Sequence, residues 1–476
     1  MAAPDGRAGG GAGAPAGSRG GRAAGETGGG TVRGIGPWTA GALVVGNMIG
    51  SGVYLLPASL GKYGGVSLLG WAFAAAGAML LGLVFARLSR MVTGAGGPYA
   101  YTRAGFGDFA GFLVAWGYWI SIWAGNAAIA VGFTSYLGYL VPPLSATPAA
   151  GALTAVAAIW LVTWINARGV REAAIVQAVT TVLKVVPLLA VGVIGCLFFF
   201  QGAHFRPFNT SGDSFFGAVS ATGSLTLWAF LGLESATVPS EEVREPRRTI
   251  PMATLIGTGV AALIYIVATA GVMGVIAPSE LAVSGAPFAD AARTMWGGWA
   301  GKAVAAGAAI SAFGALNGWI LLQGRVPWAA ARDGLFPARF GRLSDRGTPT
   351  FGLVASSLLA TILMATNYTS GLVAVFTFVI LLSTLTSLFP YALCAMAELI
   401  LFARDRSRFE GERLGSASVI AGVAFLYALW AIYGTGQKVV FWGFLLLMAG
   451  VPVYVWLVRS GGGGARDGGR PDERAE

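Results

Sequence analysis

Charge is scarce in this chain. Only 11% of its 476 residues are charged, against about 25% in a typical soluble protein. So few charges could not cover a soluble body of this size, so most of the chain must face lipid or other apolar helices. Histidine is scarcer still. His204 is the only one, and it reads as a solvated loop residue. The two cysteines, Cys196 and Cys394, both lie in apolar runs, which predicts neither a disulfide nor a zinc site. One histidine and two distant cysteines leave almost no material for a metal centre or a histidine-based triad. No metal and no cofactor is expected. A cytosolic enzyme and a disulfide scaffold are excluded. So is a nucleic-acid partner: the net charge is +10, but Arg and Lys are scattered through short loops rather than gathered in a stripe.

What the chain has is apolar length. Hydrophobic residues make up 55% of it, and there are 73 glycines. Residues 1–34 hold thirteen of these, with Ala, Ser and Arg, and no apolar core of a signal peptide. They read as a disordered tail, as do residues 460–476. Between them, 35–459 reads as one transmembrane domain. A hydrocarbon core of ~30 Å takes about 20 residues per helix. Twelve stretches meet that need, at roughly 38–60, 66–86, 109–140, 149–167, 173–201, 215–237, 250–276, 301–324, 351–367, 371–402, 417–434 and 439–458. In lipid every backbone amide must be paired internally, so these stretches are helices. Gly46 and Gly50, four apart, suit close helix packing.

The basic residues set the orientation. With the N-terminus in the cytoplasm, the cytoplasmic connections and tails hold 25 of the 31 Lys and Arg. The opposite side holds five: Lys62, Arg206, Arg293, Lys302 and Lys438. The last, Lys184, lies inside span five. Such a bias places both termini in the cytoplasm and favours an even number of spans.

Two spans carry interruptions. Span one contains Gly46-Asn47-Met48-Ile49-Gly50-Ser51-Gly52, and span six contains Trp228-Ala229-Phe230-Leu231-Gly232-Leu233-Glu234-Ser235. Glycines and polar residues at mid-membrane weaken a helix. The two sites correspond if spans one to five (about 38–201) and six to ten (about 215–402) are inverted copies. Paired, glycine-interrupted helices are the best sequence pointer to a transporter's substrate site. Unwinding frees N–H groups that welcome an anion, and carbonyls that accept from an ammonium. One broken pair can thus hold both ends of a zwitterionic amino acid. Glu234 and Lys184 are ionisable groups in mid-membrane, where charges are costly and face cavities or pair.

The stretches GNMIGSGVYLLPASL (46–60), GGPYAY (96–101), YWISIWAGN (118–126), LWAFLGLESA (227–236), RRTIP (247–251) and DGLFP (333–337) resemble the amino acid–polyamine–organocation superfamily. Within it the resemblance is to the basic amino acid/polyamine antiporter family, in its bacterial arginine/agmatine branch, over about residues 37–458. It implies an all-α integral membrane protein of the bacterial inner membrane. The implied architecture is a LeuT-type 5+5 inverted repeat plus two C-terminal helices, 417–458, working by alternating access. It implies amino acid or amine substrates, protons as coupling partners, and a homodimer in the lipid bilayer.

The resemblance also implies residue roles. Asn47, Ser51 and Gly52 belong to the span-one motif, and the backbone of Ser51 and Gly52 would hold the substrate carboxylate. The carbonyls of Met48, Trp228 and Leu231 would accept from the α-ammonium. Trp228 resembles the aromatic that stacks on the substrate, and Trp319 the middle gate. Tyr118 and Tyr99 resemble gate tyrosines. Asn126 and Ser383 match polar residues near the substrate's side chain. Glu234 matches the proton-sensing glutamate. Ala229, Ile129 and Ser121-Ile122 depart from the branch in the side-chain pocket. Lys184 departs most: the branch is apolar there, whereas proton-coupled permeases elsewhere in the superfamily carry a lysine in place of a bound sodium ion. Exchange and proton symport therefore both stay open. A passive channel would need repeated carbonyl or charged rings, and a membrane enzyme an intramembrane nucleophile–base or metal set. The sequence displays neither.

Overall fold

The computed structural model describes residues 41, 44–46, 48–50, 52–92, 97–169, 173–233, 245–404 and 414–460. For 173–183, 246, 247, 368, 414 and 416 it describes the backbone alone. The expected tails, 1–34 and the residues after Ser460, lie outside the described residues. The described architecture is helical throughout. In chain order the helices are α1 (Gly52–Gly61), α2 (Val66–Met91), α3 (Pro98–Phe106), α4 (Asp108–Leu140), α5 (Pro148–Ala167) and α6 (Ala173–Phe198). There follow α7 (Phe215–Leu227), α8 (Pro246–Val275), α9 (Pro278–Leu281), α10 (Pro287–Trp296) and α11 (Gly298–Arg332). The last are α12 (Thr350–Ala365), α13 (Leu372–Arg404), α14 (Leu414–Gly434), α15 (Gln437–Met448) and α16 (Gly450–Arg459).

Among the described residues, 8 stretches are long and apolar enough to cross a membrane. They are α2, α4, α5, most of α8, α11, α13, most of α14, and α15 with α16 as one stretch. Four shorter apolar helices, Gly52–Gly61, Lys184–Phe198, Phe215–Phe230 and Thr350–Ala365, fall where spans one, five, six and nine are expected. The protein is therefore an integral membrane, multi-pass helical protein. Pro57, Pro187, Pro251, Pro327 and Pro390 lie inside helices. Membrane helices tolerate this because neighbouring groups satisfy the freed backbone. Helix α11 continues to Arg332, eight residues past the expected end of span eight. Apolarity marks only the lipid-crossing part, whereas the backbone ladder runs on into polar residues.

Helix α4 is the inner post. In its apolar window 89% of residues are buried, against 22% for Gln437–Arg459 at the periphery. It packs chiefly on α11 and α13. Polar side chains inside the bundle must find partners there, and their bonds tie α4, α5, α11 and α12 together. Trp119 Nε1 donates to Ser356 Oγ at 2.8 Å. Thr163 and Ser357 share a hydroxyl hydrogen bond of 2.7 Å. Asn166 Nδ2 donates to Asn317 Oδ1 at 2.8 Å. In a second group α7 and α8 pack on α2, and α6 packs on α8. At the α6–α8 crossing a Cβ on Gly192 would stand 2.7 Å from Ala268 Cα, so small residues let the two backbones touch.

Helix α1 is tied to both groups through Tyr54. Its hydroxyl donates to the Lys184 carbonyl of α6 at 2.6 Å. Its carbonyl accepts from Tyr136 of α4 at 2.7 Å.

Candidate substrate site

The backbone of span one breaks before α1. Ile49 N–H still reaches the Val45 carbonyl at 2.9 Å, but Gly50 N–H turns to the Met48 carbonyl at 2.9 Å. The helical ladder ends at that turn and resumes at Gly52. Asn47 and Ser51, expected at this break, lie outside the described residues.

The second break follows α7. Residues Trp228–Phe230 tighten into a 3₁₀ turn, Leu231 is extended at ψ 136°, and Gly232 has φ +100°. Leu231 N–H donates to the Trp228 carbonyl at 3.1 Å. The Tyr265 hydroxyl of α8 donates to the Ala229 carbonyl at 3.1 Å. Phe230 is wedged between Trp71 and Tyr265, with ring centroids 5.9 and 5.5 Å away. An apolar anchor on one side thus holds the turn open on the other. Glu234, the expected proton sensor, lies outside the described residues.

The two breaks meet through one contact. The edge of the Trp228 indole lies against Gly52, so a Cβ on Gly52 would overlap the ring's rim at Cζ3. Any larger residue at 52 must displace Trp228. The indole also meets Phe376 of α13 edge-on, with centroids 5.7 Å apart. Around this contact lies a cavity of about 40 Å³, room for about three water molecules. Met48, Gly52, Tyr118, Trp228, Leu231, Trp319 and Ser383 all line it. So do Ser121, Ile129 and Ala229, three of the four pocket positions expected to depart from the arginine/agmatine branch. Gly50, Val53 and Gly125, which belong to the quoted motifs, and Ser387, which belongs to none, complete the wall. Ser387 sits one helical turn beyond Ser383, and that i+4 spacing is the only signal that could have found it. Ser383 Oγ donates to the Ser121 carbonyl at 2.8 Å, which pins α13 to α4 at the cavity wall.

Three expected residues sit away from the wall. Asn126 is fully buried on α4, and its Nδ2 donates to Gln323 Oε1 of α11 at 2.7 Å. Lys184 is 2% exposed, and no hydrogen bond or ion pair to its Nζ is found among the described residues. Tyr99 is buried on α3, where its hydroxyl donates to Asp333 Oδ2 at 2.9 Å. Arg103 joins it there, donating to the Asp333 carbonyl at 3.2 Å and to Asp108 at 2.7 Å. Burial, then the hydrogen bond and charge of Asp333, push the Tyr99 hydroxyl above its ordinary pKa, with Arg103 opposing. Tyr99 is therefore a standing donor that holds α3 to the DGLFP turn.

A broken-helix pair around a small aromatic-capped cavity is a transporter's geometry, and comparison with known proteins agrees. Residues 35–460 match the family model described as amino acid permease. The chain belongs to the amino acid permease family. Within that family the permease groups with the basic amino acid/polyamine antiporters. It is 36% identical over 337 residues to the cadaverine/lysine antiporter of Escherichia coli, covering 70% of this chain and 75% of that protein. It is 30% identical over 416 residues to the putrescine transporter PotE of Haemophilus influenzae, covering 87% of this chain and 94% of that protein. The Escherichia coli PotE gives 30% identity over 412 residues.

Proposed function

We propose that the permease is a secondary transporter that exchanges a cationic amino acid for its amine product or a related amino acid, by alternating access. The observation that carries this is the seating of Trp228 on Gly52 at the meeting of two helix breaks. Freed backbone groups there suit the α-carboxylate and α-ammonium, and the aromatic wall suits an aliphatic or cationic chain. The relatives named for cadaverine with lysine, and for putrescine, support an amine and amino acid pair. Arginine with its amine is the pair implied by the resemblance of the motifs. In this reading the bundle has twelve spans in a LeuT-type 5+5 inverted repeat with two added helices. It sits in a bacterial inner membrane with both termini cytoplasmic, and a homodimer is the family-level expectation. Met48, Gly52, Tyr118, Trp228, Leu231, Trp319 and Ser383 hold and gate the substrate, and the resemblance gives Asn47, Ser51 and Asn126 a share in binding it. Glu234 and Tyr99 couple the cycle to protons and to the cytoplasmic face.

One observation favours a second reading, proton-coupled symport. Lys184 places an ammonium in the bundle, away from water and without an acidic partner among the described residues. Charges in that setting serve transport more often than packing.

Thermal-shift binding against a panel of amino acids and amines tests the first reading. Lysine, arginine, ornithine and their amines are expected to raise the melting temperature, and acidic amino acids are not. Stabilisation by acidic amino acids alone would overturn it.

A further inference from the structure

One backbone carbonyl at the span-six break has lost its helical partner. In a continuous α-helix the Ala229 carbonyl would accept from Leu233 N–H, one turn on. Here Leu231 is extended at ψ 136° and Gly232 stands at φ +100°, so the chain leaves the helix. No bond from Leu233 N–H to that carbonyl forms among the described residues. A buried carbonyl must still be satisfied. Its donor comes from another helix, where Tyr265 of α8 gives its hydroxyl hydrogen to the Ala229 oxygen at 3.1 Å.

The Tyr265 ring is held in place for this bond. It is fully buried, as are Trp71 and Phe230 on either side of it. Its centroid lies 5.0 Å from that of Trp71 and 5.5 Å from that of Phe230. The bond matters to the cavity because Trp228, Ala229 and Leu231 all line it, and all three belong to the turn in question. Tyr265 itself carries no motif. In the sequence it is one aromatic in an apolar span.

We infer that Tyr265 is a positioning residue for substrate binding, whose hydroxyl stands in for the Leu233 N–H and so keeps span six unwound where the cavity forms. It acts through the Ala229 carbonyl and not by touching the substrate. Without the hydroxyl, that carbonyl needs another donor. Deleting one oxygen frees less room than a water molecule requires. The donor closest along the chain is Leu233 N–H, and taking it rewinds 229–233 into helix. Rewinding carries Gly232 out of the left-handed region and moves Ala229 and Leu231 off the wall. The inference rests on the reading of this cavity as the site for a cationic amino acid.

The test uses Tyr265→Phe, which keeps the ring and removes the hydroxyl alone. Lysine affinity of the purified full-length protein is expected to fall about tenfold, the weight of one buried hydrogen bond. Gly232→Ala pushes the same way, because a Cβ disfavours φ +100°, and should weaken lysine binding too. Both variants lead to one rewound state, so the double variant should lose much less than the product of the two losses. Hydrogen exchange over 228–233, read by mass spectrometry, separates rewinding from plain loosening. Rewinding gives these amides more bonds and slows their exchange in Tyr265→Phe, whereas loosening speeds it. The inference is overturned if folded Tyr265→Phe binds lysine as wild type does, if the two losses multiply in full, or if exchange over the break does not slow. Should Tyr265→Phe fail to fold, wild-type lysine affinity in folded Gly232→Ala overturns it equally. Any of these results, with lysine binding by wild type intact, sinks this inference alone. Absence of lysine binding in wild type sinks the cationic reading and the inference with it.

Discussion

At the scale of single residues, the site is built on one absence. Gly52 has no side chain, and Trp228 uses the space. Gly52→Val should push the indole off the break and into a cavity of only about 40 Å³. Substrate affinity should fall by at least about tenfold, while the melting temperature of the purified protein stays within a few degrees, since the change is confined to the cavity. Unaltered affinity in this variant would remove the basis for placing the carboxylate at the break. Most of this wall was readable in advance. The glycine and tryptophan motifs stand out because glycines cluster with polar residues in two corresponding spans, which helix packing alone does not require. Gln323 and Ser387 were not readable. A lone polar residue in an apolar run looks the same whether it faces a cavity, a partner amide or a neighbouring hydroxyl. Only the packing of α11 on α4 and α12 shows which.

At the scale of elements, hydrogen bonds and ion pairs decide what holds still. On the α3 side, Tyr99 joins the DGLFP turn through Asp333. Since the Tyr99 pKa is raised in the fold, the tie contributes fully below the ordinary tyrosine value of about 10 and fades only as pH climbs above it. Tyr99→Phe should therefore act alike across the physiological range. It should speed hydrogen exchange in α3, measured by mass spectrometry, with no new pH dependence between about pH 5 and 8. A pH-dependent effect within that window would contradict the assignment. A second tie, Arg87 to the fully buried Glu398, joins α2 to α13 at 3.3 Å. Arg87 and Glu398 both take part in further interactions, so removing Arg87 weakens a buried network rather than stranding a lone charge. Arg87→Met should lower the melting temperature in detergent clearly, and an unchanged value would mean other groups compensate Glu398 in full. The long helices were legible from apolar length. The short α3, α9 and α10 were not, because each begins at a proline in a connection whose composition looks like loop.

At the scale of the whole molecule, the question is what drives the cycle. The scaffold of α4, α5, α11 and α12 is cross-linked by side chains, and α1 is held to α6 and α4 through Tyr54 and to α13 through the Ser59–Thr377 hydroxyl pair. Lys184 lies beside this broken helix. Its carbonyl is the anchor for Tyr54, and its ammonium is unpaired among the described residues. Lys184→Ala should abolish uptake driven by a pH gradient alone, if wild type has any, and should spare at least part of substrate exchange. Wild-type behaviour in both formats would make the lysine a packing residue. Exchange itself is tested most directly by counterflow. Liposomes reconstituted with the permease are loaded with unlabelled lysine or left empty, and labelled lysine is supplied outside. Saturable accumulation in the loaded vesicles, with several-fold less in the empty ones, is the predicted result. Equal or non-saturating entry into both would contradict an exchanger.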